Sequence, residues 1–177
     1  MSKTILDLTR KIDSLRLEAV SIISDEARSR NVSFFIIGAT ARDFILSHGF
    51  NIASPRATLD IDIGIRVPDW DQFMKLRKDL LISGKFTETK EIYRIKYLDS
   101  LMIDLIPFGS IAESRSSFKW PPDQEVEMSI VGFEEAHKHA ITVKLRSDPL
   151  LEIKVASISP KGRVPRACPW VNGKAVI

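Results

Sequence analysis

The chain has 177 residues, 44% of them hydrophobic and 28% charged, a balance expected of one globular domain with a short appendage. No apolar run approaches the length of a bilayer span, and the polar start "MSKTILDLTRK" lacks a signal-peptide apolar region, so the expectation is a cytoplasmic protein with no membrane partner. A single cysteine, Cys168, excludes an intramolecular disulfide and a cysteine-based zinc motif.

The net charge of +3 is unevenly placed. Residues 154–177 hold Lys154, Lys161, Arg163, Arg166 and Lys174 and no acid; removing those five from the 26 bases leaves 21 against 23 acids, a body of net charge −2. Global charge therefore gives no warrant for a nucleic-acid-binding protein.

In chain order, Ile5, Leu8, Ile12, Leu15, Ala19 and Ile22 recur at spacings of three and four, predicting a first helix that ends near "RSRN". "VSFFII" (32–37) reads as a buried strand. "GATARDFILSHG" (38–49) follows as a glycine turn and a helix closed by Gly49. After a loop over 50–57 comes a second strand, "LDIDIGIRV", and then a helix in "PDWDQFMKLRKDLLISG" with Asp69 near its start and Gly84 as its stop. "TKEIYRIKYLDSLMIDLIPFG" (89–109) reads as a hairpin turning around Asp99-Ser100. "FKWPPDQEVEMSIVGF" is a loop leading into a strand, "FEEAHKHA" a short helix, and "ITVKLR" and "LEIKVA" further strands. The predicted class is α/β (α+β), a mixed β-sheet flanked by helices over residues 1–156. Residues 157–177 carry three prolines, two glycines and no acid, and read as a basic, loosely packed tail.

Asp60 and Asp62 interrupt a run of aliphatic residues. Strand side chains alternate, so both carboxylates share one face while Ile61 and Ile63 take the other. Roughly 6–7 Å apart, they repel by about 2–3 kcal/mol at an effective dielectric near 20. Solvent or a cation must offset that. Asp104 in "LMIDLIPF" is a lone acid on the far arm of the predicted hairpin and supplies a third hard-oxygen donor. Divalent metals used in phosphoryl transfer take such donors, so Mg²⁺ (or Mn²⁺) is the expected cofactor. The turn at Gly38, Ala39 and Thr40 precedes this strand; backbone N–H groups at a helix start suit a polyphosphate, and the Thr40 hydroxyl can add a donor.

Other candidates are weaker. His137 and His139 share no helical face, and without further ligands they read as an exposed polar pair. Trp120-Pro121-Pro122-Asp123 reads as a rigid loop over an apolar edge. Arg94 and Lys96 lie on one strand face, where they suit an acidic acceptor such as RNA or simply a solvated surface.

A strand ending in a glycine turn, an Asp-x-Asp strand and a later Asp together resemble the nucleotidyltransferase superfamily of polymerase-beta type. More closely, "GATARD", "RATLDIDIGIRVPDW", "IDLIPFG" and "WPPD…VGFEEA" resemble the abortive-infection (AbiEii/AbiGii-like) nucleotidyltransferase toxins, over roughly residues 25–155. The resemblance implies that Gly38, Ala39 and Thr40 hold a nucleoside triphosphate. It also implies that Asp60 and Asp62 bind a metal pair, and that Asp104 completes one metal site and helps activate an acceptor hydroxyl. Arg42 and Arg56 flank the motifs and would meet phosphate oxygens or form ordinary ion pairs. The implied reaction is attack on the α-phosphate with pyrophosphate leaving. The acceptor, whether RNA, protein or a small molecule, stays open, and an antitoxin partner is implied by resemblance only.

Two departures stand out: Ala39 replaces the usual second Gly or Ser, and beyond "KVAS" the basic tail stands where relatives continue into a helical segment. A frameshift or truncation near Ser157 would explain the second, and would leave an impaired nucleotide- or partner-binding remnant. A glycosyltransferase using a nucleotide sugar fits less well, since the glycine turn lies so close upstream of Asp-x-Asp.

Overall fold

The structure, a computed structural model, is described for residues 5–52, 60–112, 116–122 and 127–156. Arg56 and the tail 157–177 lie outside the described residues, as do the expectations placed on them. The strands are β1 (Ile5–Asp7), β2 (Ser33–Ile37), β3 (Asp60–Arg66), β4 (Phe86–Glu88), β5 (Arg94–Tyr97), β6 (Leu101–Phe108), β7 (Ser117–Lys119), β8 (Glu127–Ser129), β9 (Ile141–Ser147) and β10 (Leu150–Val155). The helices are α1 (Ser14–Ser29), α2 (Gly38–Asp43), α3 (Trp70–Ile82) and α4 (Phe133–His139); α2 runs directly into a π-helical turn, Phe44–Gly49.

Eight strands form one mixed sheet in the order β1-β9-β10-β2-β3-β6-β5-β4, and β7 and β8 form a separate two-stranded ribbon. The mixed sheet with flanking helices is the predicted class. The β3–β6 pair at its centre is parallel, with antiparallel β2 on one side and antiparallel β5 on the other. Both central strands are buried, and their isoleucines form much of the core: Ile61, Ile63, Ile65 and Ile103 are wholly inaccessible. The same core takes Val20 and Ile23 from α1 and Phe73, Leu76 and Leu80 from α3. Tyr97 on β5 donates its hydroxyl to Glu18 of α1 at 2.9 Å, fastening the helix to the sheet.

The two long helices begin where side-chain chemistry dictates. Asp13 accepts the Arg16 N–H, and Asp69 accepts the Gln72 N–H, each satisfying an otherwise orphaned donor of the first turn. The first helix is therefore shorter than its apolar spacing predicts. Residues 5–7 instead pair in parallel with Thr142–Lys144 of β9, and Leu8 and Ile12 enter the core ahead of the cap. The hairpin turns one residue earlier than predicted, through Leu98 and Asp99 at φ of 47° and 51°. Two successive left-handed residues open a three-residue connection, residues 98–100, in which the Ser100 N–H donates to the Tyr97 carbonyl oxygen at 3.1 Å.

Candidate functional site

The site is built on β3 and β6. Their parallel register sets Asp62 opposite Asp104 and Asp60 opposite Met102, so three carboxylates share one sheet face on neighbouring strands. Neighbouring strands lie about 4.8 Å apart, which makes this a concentrated charge. All three are buried; Asp104 is wholly inaccessible.

Arg94 on β5 stands opposite Asp104. Its Nε and Nη2 donate to Oδ1 and Oδ2 of Asp104 at 2.6 and 2.8 Å, a two-pronged contact that holds the guanidinium above its ordinary pKa. Such fork-to-carboxylate pairs are short, charge-assisted and geometrically specific. Arg94 is the residue that sequence reasoning misplaced. The sequence puts it with Lys96 on one strand face, as a guide for an acidic acceptor or as part of an ordinary amphipathic strand, whereas the structure turns its fork onto Asp104. The available signal was its position: the lone arginine of one hairpin arm, facing the lone acid of the other.

The glycine turn joins β2 to this face. Ile37 of β2 lies opposite Asp62, and the next residue, Gly38, adopts φ of 71°, a left-handed conformation that suits glycine. Ala39 and Thr40 follow in the first turn of α2. The Thr40 side chain is buried and its hydroxyl donates to the Asp60 carbonyl oxygen at 2.7 Å. Its proton is thus committed to the carboxylate strand. Arg42, in the same helix, lies 4.0 Å from Asp43 and remains partly exposed.

The lower part of the face is closed. Gly64, two residues beyond Asp62, lies beneath the Phe35 ring, and Phe35 packs edge-on against Phe108 and Phe133. His137 of α4 joins them, with ring centroids 5.4 Å from Phe35 and 5.6 Å from Phe108. This half-buried ring departs from the expected exposed pair, because α4 lies on the sheet and turns position 137 inward. His139 does lie outside, against Glu135. Trp120 covers an apolar edge as expected, packed among Trp70, Phe73, Tyr93 and Phe118.

The donor chemistry suits a hard divalent cation, which takes one or two carboxylates and completes its shell with water and phosphate oxygens. Among the described residues no group of three or more His, Cys, Asp or Glu side chains is arranged to hold one ion. Asp60 and Asp62 lie two apart on one face of β3, and Asp104 is turned to Arg94.

No protein-family model matches the chain. Comparison with curated proteins likewise finds no match. Among solved structures, the chain is similar to the CCA-adding enzyme of Thermotoga maritima complexed with tRNA, with a TM-score of 0.39 and 20% identity over 56% of this chain; it spans 22% of that enzyme's length. It is similar to the lincosamide antibiotic adenylyltransferase LnuA, lincomycin-bound, with a TM-score of 0.45 and 15% identity over 79% of each chain. It is also similar to the antibiotic-resistance factor ANT(2'')-Ia, with a TM-score of 0.41 and 19% identity over 62% of this chain and 60% of that one.

Proposed function

We propose that this chain is a metal-dependent nucleotidyltransferase that moves a nucleoside monophosphate from a nucleoside triphosphate to an acceptor hydroxyl. One observation carries the reading: Asp60 and Asp62 share a buried face with Asp104 in register, directly beside the left-handed turn at Gly38. Burying three carboxylates together is costly unless a cation is part of the design. The glycine turn is where a polyphosphate would approach that cation.

In this reading Asp60 and Asp62 hold the divalent metal, Mg²⁺ or Mn²⁺. When bound, it neutralises charge on the attacking and leaving oxygens of an in-line displacement. The backbone at Gly38 and Ala39 cradles the triphosphate, and Thr40 fixes that turn against the Asp60 strand. Arg42 and Arg56, which flank the two motifs in the sequence, would meet phosphate oxygens. The acceptor oxygen forms a bond to the α-phosphorus, the α–β bridging bond breaks, and pyrophosphate departs. The hydroxyl proton passes to a carboxylate of this face, with Asp104 poised beside Asp62. The acceptor is an RNA end, a protein hydroxyl or a small molecule. A role as the toxin of a toxin–antitoxin pair, with an antitoxin partner, rests on the resemblance of the four sequence stretches. No described helix is long and apolar enough to cross a membrane, and a cytoplasmic setting suits a triphosphate donor.

One observation favours a second reading, an impaired nucleotide- or partner-binding remnant of the same fold. Both oxygens of Asp104 accept from Arg94, so this carboxylate is engaged before any substrate arrives. Calorimetric titration of each nucleoside triphosphate with Mg²⁺ into the wild type and Asp62→Asn tests the shared site. Metal-dependent binding that the substitution abolishes supports it. Absence of binding in the folded wild type overturns it. Transfer of an α-phosphate label then separates the enzyme from the remnant.

A further inference from the structure

We propose that α4 is a proton-operated cover: it lies on the sheet while the His137 ring is neutral, and swings away when the ring takes a proton, uncovering Phe35 and Phe108 at the lower end of the carboxylate face. The movement belongs to the fold and is independent of what that face binds.

Two side chains hold the helix down. Phe133 and His137 are four residues apart and so share the side of α4 that meets the sheet. Both rest on the same two rings: Phe133 lies 6.1 Å from Phe35 and 5.7 Å from Phe108, and His137 lies 5.4 and 5.6 Å from them. Phe133 is buried, whereas the other residues of α4 are partly or fully exposed. At 7 residues the helix is too short to persist alone, since isolated helices need about 12–15. Its helical state therefore depends on docking. The ion pair of Glu134 with Arg66 adds little, because both groups are half-exposed. Gly132 precedes the helix at φ of 86°, and a Cβ there would meet nothing within 4 Å, so the joint has room to turn.

The surroundings of His137 make it the anchor that acid weakens. From β2 and β6 the ring meets Phe35 and Phe108, and from β3 and β10 it feels the cations Arg66 and Lys154. Glu134 of α4 is the acid that acts on it, and this carboxylate is already paired with Arg66. Nε2 is buried without a hydrogen-bond partner among the described residues. A proton on the docked ring would add a third positive charge in a desolvated position. Undocking returns the ring to water, where it titrates near its ordinary value of 6.5.

Nuclear magnetic resonance on the full-length chain, from about pH 8 to about pH 5, follows the His137 ring and the α4 amides. At the upper end the ring protons should carry the ring-current shifts of Phe35 and Phe108, and these should collapse to free-imidazole positions as the ring protonates. Hydrogen exchange over residues 136–139, corrected for its intrinsic pH dependence, should speed up about tenfold or more, while Ile103 and Leu105 of β6 keep their protection. His137→Phe fills the same place with a ring that does not titrate, and its α4 protection should be independent of pH. Lys154→Met removes a facing cation and should move the release to lower pH, which a purely structural role for His137 would not do.

Loss of β6 protection in step with α4 would overturn the inference, since the chain would then be unfolding as a whole. So would a wild-type ring that takes its proton with its ring-current shifts intact, or one that stays neutral and docked down to about pH 5. A folded His137→Phe whose α4 exchanges with the pH dependence of wild type would overturn it equally. Where that variant does not fold, the wild-type ring and amide measurements decide alone.

Discussion

The Thr40 hydroxyl donates to the backbone carbonyl of Asp60 at 2.7 Å, tying the start of α2 to the strand that carries the carboxylate pair. The residues are 20 apart in sequence, and the bond is buried. It sets the distance between the glycine turn, where phosphates would lie, and the carboxylates, where a cation would lie. Thr40→Val keeps the shape and removes the donor, leaving a buried carbonyl with one fewer partner. The expected cost is about 1–3 kcal/mol of stability, read from urea unfolding. Thr40→Ser, which keeps the hydroxyl, should lose less, and equal losses in the two variants would show that the methyl group matters instead of the bond.

Trp120 is 3% exposed, with ring centroids 5.0 Å from Phe118, 5.5 Å from Trp70 and Tyr93, and 5.9 Å from Phe73. It joins the β7 ribbon to α3 and to the loop before β5. Trp120→Ala empties the centre of this group and should cost about 3–5 kcal/mol. A melting curve within a degree or two of wild type would mean that the loop sits on the core without contributing to it.

These residues also show where the sequence is informative. The alternation in "LDIDIGIRV" was enough to put Asp60 and Asp62 on one face, a local property of strands, and the lone acid in "LMIDLIPF" marked Asp104, whereas the pairing of β6 with β3 is a tertiary feature that no local pattern gives. Trp120 was legible as a cover because a large aromatic side chain gains by burying its apolar area. The direction of Arg94 was not legible. It depends on a cross-strand register that no local pattern specifies. Short edge elements were missed as well: β1 has three residues, and its side chains happen to extend the helical spacing of α1 backwards. Only the Asp13 cap, which competes with that spacing, fixes the true helix start.

His137 makes stability depend on pH. Desolvation is the main cause that lowers its pKa, and the nearby charges of Lys154 and Arg66 lower it further, while Glu134 acts in the opposite direction. The ring lies against Phe35 and Phe108, and its buried Nε2 has no hydrogen-bond partner among the described residues. The unfolded chain takes up the proton near the ordinary value of 6.5, before the folded chain does. In that interval the unfolded state holds more protons, so stability rises with pH. The contribution is complete above the unfolded value and is lost as pH falls toward the folded one. His137→Phe should flatten the pH dependence of the urea midpoint as pH falls below the ordinary value of 6.5. An unchanged slope in the variant would assign the dependence to other groups.

Gly64 is required by its neighbour above the sheet. A Cβ placed there would lie 2.5 Å from Phe35 Cε1 and 3.0 Å from Cδ1, inside any tolerable contact. The ring has little room to retreat, since Phe108 and Phe133 lie at 5.5 and 6.1 Å and Phe35 is wholly buried. Gly64→Ala is therefore expected to destabilise by about 1–3 kcal/mol through overpacking. The strain falls two residues from Asp62 on the same face, so on the proposed function the affinity for a divalent metal would fall with it. Phe35→Leu in the Gly64→Ala background exchanges a rigid ring for a smaller, adaptable side chain. Contacting residues couple, and the double variant should be more stable than the sum of the two single losses allows, by about 0.5–3 kcal/mol. Strict additivity in that cycle would mean that the cost at Gly64 comes from the strand backbone and not from the ring that covers it.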